Sequence, residues 1–142
     1  MKKLFVLLAA TMLLAACQTT SIPVSSKQPP RIVTHKSASE TQNALINEFK
    51  GMGFKVVRRS SKSLVLEQTL TPNSDERKQH ASYSDGTPRS QIRFTFSNVQ
   101  EGTKVTAKFD MLVNPGKSNQ ERVTLLDSPD GARLQRVLEG VK

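Results

Sequence analysis

The spacing of apolar residues changes several times along the chain, and each change marks an element. Ala38, Leu45, Phe49 and Met52 recur at intervals of seven, four and three, with Ile46 beside them, which is the stripe of an amphipathic helix. Ser37 and Glu40 open this stretch as Ser-x-x-Glu, a capping box in which hydroxyl and carboxylate satisfy reciprocal backbone donors. Gly51 and Gly53 bracket its end, where a left-handed cap suits glycine. The spacing predicts a helix over 38–51. From Phe54 the period falls to two. Phe54 and Val56 point to one side, Lys55 and Val57 to the other. After a turn at 60–63, Leu64, Leu66 and Leu70 alternate with Val65, Glu67 and Thr69, giving a hairpin with one apolar face. A second hairpin follows. Ile92, Phe94 and Phe96 alternate with Gln91, Arg93 and Thr95, residues 98–102 turn the chain, and Val105, Ala107, Phe109 and Met111 alternate with Lys104, Thr106, Lys108 and Asp110.

Weaker patterns fill in the ends. Residues 31–35 (RIVTH) fit a short strand, and Asn114-Pro115-Gly116 is a turn signal. Residues 121–126 (ERVTLL) fit either a strand or a helical turn. Asp127 or Ser128 can cap a last helix with Pro129 in its first turn, and Leu134, Val137, Leu138 and Val141 supply an i, i+3, i+4, i+7 face. Gly131 is expected to weaken that helix. Between the hairpins, residues 71–89 contain only Ala81 and Tyr83 as apolar or aromatic members, and a loop that long is expected to be functional or disordered. Two hairpins make an antiparallel sheet with one apolar face, and two amphipathic helices need such a face. The expected class is α+β: a two-layer sandwich of four to five antiparallel strands with two helices packed on one side.

The first residues follow none of these periods. Lys2 and Lys3 precede an apolar run from Leu4 to Leu14 interrupted only by Thr11, and Ala15 and Ala16 lead to Cys17. Roughly 20 apolar residues span a bilayer, so this run is short for a membrane helix and reads as a targeting segment. An uncleaved helix and a signal peptide cut elsewhere are the alternatives. Leu14-Ala15-Ala16-Cys17 resembles the lipobox of bacterial lipoproteins. The resemblance implies that residues 1–16 are removed and that Cys17 becomes a diacylated, often triacylated, N-terminus. Each buried methylene contributes about 0.8 kcal/mol, so two or three chains anchor firmly where one does not. Gln18 after the cysteine, rather than Asp, implies the outer membrane, facing the periplasm, in a Gram-negative host.

With that leader set aside, residues 17–30 read as the lipidated N-terminus and a Ser/Thr/Pro-rich tether, and residues 31–142 as one domain. Thirteen tether residues (18–30) average roughly 20 Å end to end as a coil and span at most about 43 Å. Formal charge falls from +9 to +7 without Lys2 and Lys3. Cys17 is the sole cysteine, so lipidation leaves none for a disulfide and the core must hold by packing.

Candidate chemistry is sparse. His35 and His80 lie 45 residues apart, and no nucleophile elbow, zinc-protease helix or phosphate loop is present. His80 has Asp75, Glu76 and Asp85 as its acidic neighbours in sequence, a poor set for zinc. No catalytic residue, metal site or cofactor is expected. Asp75-Glu76-Arg77-Lys78 and Tyr83 in the long loop could anchor an interface. The stronger asymmetry is cationic. Lys55, Arg93, Lys104 and Lys108 fall on the polar side of the strands, with Arg59 near the first turn and Thr95 and Thr106 among them. A basic face held at a membrane attracts anionic headgroups, sugar phosphates or acidic protein. It also discourages edge-to-edge aggregation, whatever it binds. Nucleic acid is not expected, since one tyrosine offers little for stacking. The functional expectation is a non-enzymatic, lipid-anchored envelope module that binds an envelope protein or anionic envelope polymer. The alternative is a carrier that holds a small hydrophobic ligand in a helix-grip-like pocket, although the bulk of Phe54, Leu66, Phe94, Phe96, Phe109 and Met111 favours a filled core.

Overall fold

The computed structural model describes residues 28–71, 73–75, 78 and 87–142. Cys17, most of the tether, and His80, Tyr83 and Asp85 of the long loop therefore lie outside the described residues. The elements run β1 (Arg31–Thr34), α1 (Ala38–Gly51), β2 (Lys55–Arg59), β3 (Ser63–Thr69), β4 (Arg89–Val99), β5 (Gly102–Val113), β6 (Glu121–Thr124) and α2 (Pro129–Val141). All pairings are antiparallel, in the order β1-β5-β4-β3-β2, and β6 also pairs with β5. The long strand β5 gives one edge to β4 and shares the other between two short strands. β1 takes Thr103–Thr106 and β6 takes Asp110–Val113. Residues 121–124 are thus a strand, which makes the sheet six-stranded.

Both helices cover the apolar side. Leu45 and Phe49 of α1 and Leu134, Leu138 and Val141 of α2 join Leu64, Leu66, Ile92, Phe94, Phe96, Val105, Ala107, Phe109 and Met111 in one buried cluster. Phe49 stacks edge-on against Phe54, with ring centroids 5.5 Å apart, and tilted against Phe94 at 5.8 Å. Five of the six bulky residues expected inward are buried; Phe54 is only half-covered.

The caps form as their residues predict. Glu40 N–H donates to the Ser37 hydroxyl (3.2 Å), and Ser37 N–H and Oγ donate back to the Glu40 carboxylate (2.8 and 2.7 Å). These bonds, the hydroxyl first, hold the Glu40 carboxyl below its ordinary pKa. Ser128 caps α2, and at the other end the Lys36 ammonium donates to the Val141 carbonyl (2.9 Å), tying the β1–α1 connection to the last turn.

Gly131 corrects an expectation. Far from being a weak point, it is where α2 starts against the Leu126 backbone, and a Cβ there would overlap the Leu126 carbonyl. Only glycine permits that approach. Val57 corrects another. Val56 pairs with Leu66 but Arg58 pairs with Val65, so a bulge inserts one residue and reverses the parity of the strand beyond it. Every residue of β2 is exposed, and this edge strand adds no buried side chain to the core.

Candidate functional site: the uncovered sheet face

The register places the outward side chains in rows across the strands. One row runs Arg58, Val65, Arg93, Lys108. On one side of it lies the row Lys55, Glu67, Gln91, Asp110, Thr124, and beyond that Thr69, Arg89, Leu112, Arg122. On the other side lie Ser63, Thr95, Thr106, Arg31, and then Ser97, Lys104, Val33. The face therefore carries eight cations (Arg31, Lys55, Arg58, Arg89, Arg93, Lys104, Lys108, Arg122) and two carboxylates (Glu67, Asp110). Neither helix lies on this side.

Both carboxylates are engaged by neighbours on the face. Arg93 Nη2 donates to Asp110 Oδ2 at 3.0 Å, and Arg122 Nη1 lies 3.9 Å from the same oxygen. Arg122 Nη1 also donates to Gln91 Oε1, and Gln91 Nε2 donates to Glu67 Oε1 at 2.7 Å. Arg89 completes the chain at 3.5 Å from Glu67. This network uses Arg89, Arg93 and Arg122 and pins β6 to the sheet. Arg93 Nε is buried and has no hydrogen-bond partner among the described residues. The side chains of Arg31, Lys55, Arg58, Lys104 and Lys108 make no hydrogen bond or ion pair among the described residues.

Of the residues singled out from the sequence, Arg93 and Lys108 are cross-strand partners, Lys104 lies two rows away, and Lys55 sits opposite Glu67. Arg59 does not belong with them. The bulge turns it to the helix side, where Nε donates to Gln42 Oε1 and Nη2 to Asn43 Oδ1, each at 2.8 Å. Gln42 in turn donates to the Ser60 carbonyl, so Arg59 ties the hairpin turn to α1. Four outward arginines escape the sequence pattern, the first being Arg31 of the short strand β1. Arg58 takes the outward position that simple alternation assigns to its neighbours. Arg89 was assigned to the loop, although it shares parity with Gln91 and Arg93. Arg122 lay in the undecided segment.

On the helix side, a partly open cleft of about 200 Å³ lies where the end of α1 meets the start of α2. Phe49, Phe54, Leu70, Ile92, Phe109 and Leu134 line it, with Gln68, Ser90 and the Asp130–Arg133 pair at its polar parts. Among the described residues no group of three or more His, Cys, Asp or Glu is placed to hold a metal, and no helix is long and apolar enough to cross a membrane. The chain matches no known family model and no curated protein.

Proposed function

We propose that this chain is a lipid-anchored, non-enzymatic cell-envelope protein that works as a binding module through the uncovered face of its sheet. In this reading Cys17 carries the lipid and residues 18–30 form the leash. The domain stands in the periplasm at the outer membrane of a Gram-negative host. The observation that carries it is the face itself, with eight cations against two carboxylates on one open surface. A sheet face needed only for solubility has no reason to concentrate one sign so strongly, because mixed charges solubilise as well. Anionic headgroups, an anionic envelope polymer or an acidic envelope protein are the kinds of partner such a field attracts.

Two experiments test the two halves. Labelled palmitate should enter the wild-type protein and not the Cys17→Ser variant, which should also keep residues 1–16; normal processing of that variant with retention in the membrane fraction would defeat the anchor. Photo-crosslinkers placed at positions 93 and 104 should give specific adducts in cells, whether to lipid, polymer or protein, and the absence of all three at both positions counts against a working sheet face.

A second reading, a carrier of a small hydrophobic ligand, is favoured by the cleft beside Phe49 and Phe109. Its 200 Å³ falls below the roughly 300–1,000 Å³ of ordinary ligand pockets, which is why the face is preferred. Native mass spectrometry of the purified protein decides, since a carrier should retain ligand mass.

A further inference from the structure

We infer that the uncovered sheet face docks flat on an anionic phospholipid bilayer, so that the domain lies against the membrane that anchors it. The inference rests on the binding-module reading and names its partner as a lipid surface.

Charge comes first. Arg31, Lys55, Arg58, Lys104 and Lys108 have no partner among the described residues, and they extend from one edge of the sheet to the other. The two helices carry three cations (Lys50, Arg133, Arg136) against four carboxylates (Glu40, Glu48, Asp130, Glu139), so among the described residues the excess of positive charge lies on the sheet side. The charge difference between the two sides fixes the orientation.

Surface relief comes next. Ser63, Thr95 and Thr106 occupy the row between Lys108 and Lys104, and Ser97 sits opposite Lys104, so hydroxyl side chains shorter than the lysines and arginines lie among the free cations. Hydroxyls and cations together suit phosphate oxygens spread over a plane. No outward strand position holds an aromatic residue, so the face lacks the rigid anchors that concentrate energy in protein interfaces. A diffuse electrostatic contact needs no such anchor.

The position of the leash agrees. Ala107 N–H donates to the Pro30 carbonyl (2.9 Å), so the chain joins the sheet beside Ala107, next to Lys108 in β5 and to Arg31. Residues 18–30 reach at most about 43 Å, which allows the domain to lie down at its anchor. Near an anionic surface each Lys or Arg contributes about 1 kcal/mol, roughly fivefold in binding, within a Debye length of about 8–10 Å.

The test uses residues 17–142, the mature chain of this reading, with Cys17→Ser, so that neither an acyl chain nor the apolar leader contributes. Sedimentation is compared with vesicles of pure phosphatidylcholine and of phosphatidylcholine with one quarter phosphatidylglycerol. Binding should rise with phosphatidylglycerol and fall with added salt. Lys104→Glu with Lys108→Glu should cut the phosphatidylglycerol-dependent part at least about 25-fold, since two cations at about fivefold each are lost. Lys50→Glu with Arg136→Glu changes net charge equally on the helix side and should leave most of that part intact. Equal losses in the two double variants would mean that net charge alone acts, and would overturn the docking face. Binding indifferent to phosphatidylglycerol would overturn it too, and would leave the anchor, read separately by palmitate on Cys17, untouched. Heat-unfolding of each variant checks that lost binding is not lost fold.

Discussion

The two faces of one sheet differ in kind. Beneath the helices, Leu64, Phe94, Val105, Ala107 and Met111 are at most 1% exposed and hold the fold by packing. On the opposite side, alternate residues of the same strands carry charge, and five of the eight cations there have no partner among the described residues. Period-two alternation makes this separation possible, because neighbouring residues belong to different surfaces. The lesson is that core packing and surface charge can be altered here at neighbouring positions, one residue apart.

The comparison breaks first at its strongest point. Phe94→Ala should cost about 3–5 kcal/mol, as for other buried aromatics, measured by denaturant unfolding; its cross-strand neighbourhood contains outward Lys108, whose loss should barely register. Next comes Gly131→Ala. The added methyl meets the Leu126 carbonyl, so about 1–3 kcal/mol should be lost even though alanine is the better helix former. A gain in stability would show that α2 can shift at no cost.

Asp110→Asn sharpens the distinction because it acts on both properties. It removes the charge that Arg93 and Arg122 share, and about 1–2 kcal/mol should go as β6 loosens. At the same time the face becomes more basic, so binding to anionic vesicles should strengthen. A variant that weakens both would tie the face to the fold.

The smallest effect is at the start of α1. The Glu40 carboxyl has a lowered pKa in the folded state, chiefly through the Ser37 hydroxyl, so its contribution is present above the unfolded pKa and lost as pH falls through the folded one. Amide exchange at the first turn of α1 should therefore quicken in acid for the wild type, and Glu40→Gln should flatten that dependence.

How much of this was legible follows from local rules. The Ser37-x-x-Glu40 box, the stripe through Leu45 and Phe49, and the alternation from Gln91 to Asp110 all act within a few residues, and helix α1 and the β4–β5 hairpin follow from them. What alternation cannot reveal is a change of its own phase. The bulge at Val57 sends Arg59 to Gln42 and Arg58 outward, and nothing in Lys55-Val56-Val57-Arg58-Arg59 announces it. Gly131 misled for a related reason, since its necessity lies in a tertiary approach to Leu126 and not in helix propensity. The β6 segment was ambiguous because four residues are too few to show a period; its pairing with Asp110–Val113 decides it. The basic face is half legible: its lysines and Arg93 stand out, while Arg31, Arg58, Arg89 and Arg122 need the register.

The central claim is that the unengaged cations of the face, Lys104 and Lys108 among them, serve binding and not folding. The most direct measurement takes one preparation of the Lys104→Glu, Lys108→Glu variant and reads both its unfolding midpoint and its phosphatidylglycerol-dependent vesicle binding. The account predicts a midpoint within about 4 °C of the parent, as for surface changes worth no more than about 0.5 kcal/mol, together with loss of that binding. A midpoint lowered by about 10 °C or more with binding retained would contradict it.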